Sequence, residues 1–502
     1  MQLRRLLLYC AALAALVLVV HPACAANDPA NTTPAPAGPA DAPASTPDPA
    51  PAPSPAPAPA PPQENTTRAP LQLQLGNITI MPVGFVDATF VWRDVNAGSG
   101  IGSNFGSIPF SNTLANDLSE TRFSIQNSRL GFRVDGNWKG THFIGYNEFD
   151  FLGTSGANNL GVTNGSFVPR IRLYWVDVRK NEFEILAGQS WSLLTPNRSG
   201  LSALPADLFY TQVFDVNYVI GFTWTRQTGA RFLYHPSKTV AMGISFENPN
   251  QYMGGYGGGG QIVLPAALSA IGGTQLDNGT AGVLSTPNVA PDIIGKIAFD
   301  PNSRVHVEVA GIERNFKVVN PNTLQPYSAT GGGGSLNFSF EPIKHFRLFS
   351  NNFFSDGGGR YIFGNAPDVI VRADGSLSPV HSTALLEGFE AQVRPNSLLW
   401  AYYGAAFIQK NTAVDTNGKL VGWGFPGSPN SQNRDVQEAT FGITQTFWKD
   451  PRYGALSFIG QYEYLSRNPW YWATGQPSSA HDSTVYLDLR YTLPGAAPPV
   501  EK

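Results

Sequence analysis

The chain has 502 residues, of which only 14% are charged and 12% are aromatic. So small a charged share, against ~25% in ordinary soluble proteins, argues against a chain surrounded on all sides by water. The formal charge of −3, or −5 once Arg4 and Arg5 are left out, singles out no charged partner.

The first 25 residues read as a secretory signal: Arg4 and Arg5, an apolar run over 6–20, then Ala23-Cys24-Ala25 with cleavage after Ala25. The apolar run is shorter than the ~20 residues a spanning helix needs. Cys24 admits a second reading, a lipidated cysteine, although His21 stands where such sites usually carry an aliphatic residue. Cys10 and Cys24 are the only cysteines. Beyond the signal the chain therefore holds no disulfide and no thiol chemistry. Residues 26–70 turn to Pro, Ala, Thr and Asp, nearly alternating Ala-Pro over 47–62. Such a segment buries no core and favours an extended polyproline conformation. It is either a periplasmic spacer that reaches the cell wall or a disordered tail.

From 71 to 493 the pattern changes to strands. Two-residue alternation is clear in Arg304-Val305-His306-Val307-Glu308-Val309, in Val485-Tyr486-Leu487-Asp488-Leu489-Arg490, and over 238–246. The polar faces are too charged for a sandwich core, so water must lie behind them, as in a membrane barrel. The expected strands are 80–93, 120–135, 139–152, 167–179, 182–191, 218–235, 238–248, 290–300, 303–317, 331–341, 345–355, 383–394, 397–409, 435–449, 453–466 and 482–493. That makes about sixteen, an even number, with a bulge near Asn127-Ser128.

Tight turns such as Asp135-Gly136, His235-Pro236-Ser237 and Arg394-Pro395-Asn396 alternate with long connections over 94–119, 192–217, 249–291 and 409–433. A compact soluble domain rarely tolerates several such loops. Short periplasmic turns and long extracellular loops are the habit of outer-membrane barrels. The expected fold is therefore all-β: a transmembrane antiparallel β-barrel wide enough for water, with a short tail at 494–502. Trp92 and Trp191 fall at outer strand ends, Trp138 and Trp448 beside inner turns, where an aromatic girdle belongs. The apolar stretch 262–271, within the longest loop, needs a surface to cover. It is expected to fold inward, to brace a neighbour, or to form a short strand extension above the membrane.

No enzyme motif is present: no H-E-x-x-H, no G-x-S-x-G, and no Gly-Lys pair followed by Ser or Thr. No cofactor, metal or nucleic-acid site is expected. Carboxylates such as Glu148 and Asp150 share one strand face and serve better as counter-charges than as a catalytic pair.

Four motifs follow one another on successive strands: Gln126-Asn127-Ser128-Arg129-Leu130-Gly131-Phe132, Glu148-Phe149-Asp150-Phe151, Arg170-Ile171-Arg172-Leu173-Tyr174 and Leu186-Ala187-Gly188-Gln189-Ser190-Trp191-Ser192. In this order they resemble the DcaP-like porins of Gram-negative outer membranes. The resemblance implies a sixteen-stranded homotrimer in the outer-membrane lipid that passes small anionic solutes, dicarboxylates among them. Two features depart from it. The Pro/Ala segment cannot form the helix that members carry before the barrel, and Tyr491 is followed by a tail instead of ending the chain.

By alternation, and in line with the resemblance, Arg122, Arg129, Arg133, Arg170 and Arg172 face the lumen, and Arg231, Arg304, Arg347 and Arg394 are assigned to it elsewhere. Arginines in a pore select anions. They can equally well neutralise Glu148, Asp150, Glu184, Glu308 and Glu390. Three functions stay open on sequence alone: an anion-preferring channel, an unselective or carbohydrate-selective one, and a tether between membrane and cell wall.

Overall fold

The computed structural model describes residues 71–153, 167–279 and 287–494. The signal, the Pro/Ala segment, Cys24 and the tail from 495 lie outside the described residues. Within them the chain forms a closed barrel of sixteen antiparallel staves. In chain order these are β1 (Ile78–Arg93), β2 (Glu120–Ser124 and Arg129–Trp138), β3 (Thr141–Gly153), β4 (Val168–Lys180), β5 (Phe183–Trp191), β6 (Arg226–Ser237), β7 (Val240–Glu247) and β8 (Asp292–Asn302). They continue as β9 (Val305–Val319), β10 (Pro326–Ile343), β11 (Phe346–Asp356), β12 (His381–Arg394), β13 (Ser397–Ile408), β14 (Asn433–Asp450), β15 (Gly454–Pro469) and β16 (Ala480–Thr492). Leu73–Leu75 folds back on the start of β1. The barrel closes where β16 pairs with β1, from Phe85↔Thr492 to Arg93↔Thr484.

Alternation sets the two faces. In β9, His306, Glu308, Ala310 and Arg314 are buried inside while Val309 is exposed outside. Ile297, Phe338, Phe354, Phe441 and Leu489 continue that exposed apolar outer face around the wall. Only lipid suits an apolar exterior with a polar interior, and closure leaves no strand edge unpaired within it. The barrel is of the outer-membrane type, which places the chain in the outer membrane of a Gram-negative cell.

Every expected strand is present, with local corrections. The first tight turn lies at Lys139-Gly140, both at positive φ (50° and 73°), as a two-residue hairpin requires; Asp135 and Gly136 stay inside β2. The bulge at 125–128 is real: β2 is interrupted there, and Asn127 and Ser128 bond to Asp87 of β1 instead. The sixth strand begins at Arg226, not 218. Trp138 and Trp448 are exposed near the turns as a girdle requires, but Trp191 is only 1% exposed and lies inside.

Candidate functional site

The loop that lines the inner wall from β5 round to β15 is L3, residues 192–225. Its apolar side chains, among them Leu194, Phe209, Phe214, Ile220 and Phe222, are almost wholly buried. They cover the inner wall as a plug of side chains would, and polar anchors fix the path. The Lys296 ammonium of β8 donates to the carbonyl of Thr195 at 2.8 Å, and the Asn197 N–H donates to Glu308 of β9 at 3.2 Å. Phe209 packs on Phe349 of β11, with ring centroids 4.8 Å apart. Further along, Gln212 N–H donates to Tyr402 of β13, Phe214 N–H to Gln461 of β15, and Ile220 N–H to Glu438 of β14. At Gly221 (φ +86°) the loop presses on β12 and β13: a Cβ there would lie 2.1 Å from the Leu385 carbonyl of β12, and one on Gly404 of β13 would lie 1.8 Å from that of Ile220. Glycine at both positions permits this backbone approach.

On its return L3 meets the basic wall of β2 to β4. Arg172 donates to Glu148 (2.7 Å), to Asp150 (2.9 Å) and to the Tyr218 hydroxyl of L3 (3.3 Å). Arg170 grips Asp150 in two bonds of 3.0 and 2.7 Å. A bulge in β4 skips Arg172 in the pairing with β3, so Arg172 and Leu173 both turn inward. Trp191 lies under two cations, with Arg172 and Arg226 centred 5.8 and 5.7 Å from its ring. Arg129 lies 5.2 Å over the ring of Phe85. Among the described residues neither Arg129 nor Arg226 makes a salt bridge, and Arg129 Nε and Arg226 Nη1 are buried without a hydrogen-bond partner. The site thus holds four guanidinium groups against the carboxylates of Glu148 and Asp150. Tyr218 registers the excess: burial opposes ionisation of its phenol, but Arg129, Arg172 and Arg226 draw its pKa below the ordinary value.

The other assigned arginines divide. Arg122 sits on the inner phase of β2, exposed, 3.5 Å from Glu120. Arg133 is buried and clasps Asp135 in two bonds of 2.7 Å. Arg231 is buried and donates to Ser190 and to the Trp191 carbonyl. Arg347 pairs with Glu341 at 3.0 Å. Arg304 and Arg394 are corrections: both are exposed, at the turn between β8 and β9 and at the last position of β12, so they stand at the rim and not on the pore wall. Of the expected counter-charges, Glu184 faces Arg179 and His235, and Glu308 faces Lys296 and His306. Glu390 pairs with Arg198 of L3. Arg198 and Arg226 were not visible to strand periodicity, since one lies within a loop and the other opens a strand straight out of it.

No family model and no curated protein matches the sequence. Solved structures do. The outer-membrane channel DcaP of Acinetobacter baumannii superposes with a TM-score of 0.60 at 18% identity, over 84% of this chain and 99% of that one. OmpF of Salmonella typhi, in complex with daunomycin, gives 0.47 at 12% identity over 84% and 100%. OprB of Pseudomonas putida gives 0.44 at 11% over 82% and 94%. The sixteen-stranded barrel described above is the fold of the DcaP channel.

Proposed function

We propose that the protein is a porin for passive diffusion of small hydrophilic solutes that favours anions, organic acids such as dicarboxylates in particular. One observation carries the preference: among the described residues, Arg129 and Arg226 stand beside the constriction loop with no salt bridge of their own, so that four guanidinium groups share the two carboxylates of Glu148 and Asp150. Buried donors left unsatisfied are costly, and a carboxylate is the partner that a guanidinium fork fits best. The paired arginines, Arg133, Arg170, Arg172 and Arg347, shape the wall and offset acids; Arg122 and Arg231 extend the positive lining. The same reading includes a signal removed after Ala25, a periplasmic spacer over 26–70 that can touch the cell wall, and a homotrimer in the membrane. Reversal potentials of reconstituted channels in a salt gradient test the preference. Anion preference should fall in Arg129→Gln and Arg226→Gln and fall furthest in the double variant. An unselective wild-type channel would replace this reading with the carbohydrate-selective or unselective one.

A further inference from the structure

The far tip of L3 rests in a socket built of acids. Asp215 is 1% exposed. Its Oδ2 accepts the Ser103 N–H of loop L1 (residues 94–119) at 2.8 Å and the Tyr486 hydroxyl of β16 at 3.0 Å; its Oδ1 accepts the Asn217 N–H at 2.7 Å. The Ser103 hydroxyl in turn donates to Glu463 of β15 at 2.6 Å, and Asn217 Nδ2 donates back to the Ser103 carbonyl at 2.8 Å. Gly102 allows the two loops to touch, since a Cβ there would come within 2.5 Å of Val216. L1 and L3 therefore clasp each other inside the barrel through one carboxylate.

Charge around this clasp is one-sided. Glu463 and Asp215 interact electrostatically with Glu438 of β14, and Glu463 also with Asp482 of β16. Asp94 of L1 adds a further carboxyl beside Asp482. Arg93 of β1 is the cation that faces the group, and it is already 2.6 Å from Glu120 of β2 while also donating to Tyr486 at 3.1 Å. One guanidinium cannot balance so many carboxylates out of water; some must hold a proton for the others to sit so close. Burial pushes the Asp215 carboxyl up against the donors that favour its charge.

We infer that Asp215 is the positioning residue that holds L3 across the channel, and that the hold depends on protons shared among Asp215, Glu438 and Glu463. As pH rises and the last of these protons leaves, like charges at β14 and β15 repel Asp215 and L3 swings from the wall. The width of the constriction, and not the sign of the solute it prefers, is what this latch controls, so its failure leaves the anion reading untouched.

Single-channel conductance of the full-length protein in planar bilayers, stepped from about pH 5 to about pH 9, spans the range a buried carboxyl reaches. Wild type should conduct less, and with less current noise, at the acid end. Glu463→Gln, which keeps an acceptor for Ser103 but cannot ionise, should lose the pH step. Asp215→Ala should conduct at the higher level throughout. Asp215→Asn, which keeps one acceptor, serves if the alanine variant fails to assemble; it should lose the step. A wild-type conductance flat across the range overturns the proton dependence, as does a step that survives in both Glu463→Gln and Glu438→Gln. Wild-type conductance at every pH in Asp215→Ala overturns the positioning role.

Discussion

Arg198 of the constriction loop grips Glu390 on β12 through two bonds of 3.0 and 2.6 Å, with its guanidinium centred between the rings of Phe209 and Phe349 at 5.1 and 5.0 Å. The Tyr402 hydroxyl donates to the same carboxylate at 2.8 Å. This pair pins the first part of L3 to β12, as Asp215 pins the far tip. Removing Arg198 strands a buried carboxylate, at a cost of about 1–3 kcal/mol or more for a charged group. Arg198→Leu should lower the denaturant midpoint and raise conductance. Arg198→Leu with Glu390→Gln should recover part of the stability, because no unpaired charge is left. A double-mutant cycle in detergent checks the coupling, and additivity would mean that the pair holds nothing.

Arg129 and Arg226 differ from Arg170 and Arg172 in what they are free to do. Arg172 is saturated by Glu148, Asp150 and Tyr218, so Arg172→Glu would bring a third carboxylate into a buried group. Breaking such a network costs about 3–5 kcal/mol. A double reversal, Arg170→Glu with Arg172→Glu, should therefore impair assembly. Arg129→Gln should instead assemble normally and lose anion preference several-fold at low salt. The loss should shrink at high salt, where the Debye length falls to ~3 Å at 1 M. Reversal potentials at two ionic strengths check both claims, and a normal barrel from the double reversal would show that water screens the cluster.

Tyr218 gives the anion preference a pH dependence of its own. Arg129, Arg172 and Arg226 lower its phenol pKa against the burial that raises it, so ionisation begins below the ordinary value of ~10. The phenolate then offsets the excess positive charge. Anion preference should decline as pH rises through the lowered pKa, and Tyr218→Phe should abolish the decline. The linked stability has the sign of a depressed acid: fully present above the unfolded value of ~10, and lost as pH falls through the folded one. Selectivity of wild type and Tyr218→Phe across the alkaline range checks this.

The staves were legible because each must satisfy lipid on one side and water on the other, which writes a period of two into the sequence. Residues 218–225 misled for a related reason. Tyr218, Val219, Ile220 and Phe222 are as apolar as a lipid-facing strand, but they are buried against the inner wall, and composition does not distinguish the two surroundings. Trp191 was placed in the girdle by its position at a strand end, while its register turns it onto Arg172 and Arg226. Arg129 was found by alternation together with the resemblance, since it lies in the first of the four motifs. Arg198 and Arg226 depend on how L3 folds back, and nothing periodic in a loop records that. Ser103 and Tyr486, which tie Asp215 to L1 and β16, lie 112 and 271 residues away in sequence, beyond the reach of any local pattern.

A closed barrel satisfies every backbone group of its wall within itself, so detergent gains little by entering it. Unboiled protein should run on gels as a β-rich oligomer, and boiled protein as a monomer. Monomeric migration without boiling, in several mild detergents, would count against the homotrimer.

The long loop at 249–291 has a different part from the one its length suggested. Ile262, Leu268 and Ile271 are buried with Met253 and Leu276, so the apolar run covers this chain's own loops. Val263 and Gly422 exchange backbone bonds of 2.9 and 2.8 Å, and the Ala266 N–H donates to Asp415 at 3.1 Å. Through these contacts the loop buckles down the hairpin of Asn411–Val414 and Leu420–Trp423. Leu268→Asp buries a charge among apolar side chains and should free the buckle at a cost of several kcal/mol, the scale set by a buried unpaired charge. Lys419, exposed at the hairpin tip, would then be cut by trypsin far faster than in wild type. Conductance should stay at the wild-type level, because L3 keeps its own anchors along the inner wall from β5 round to β15. Rapid cleavage together with raised conductance would show that the longer loop narrows the channel as well.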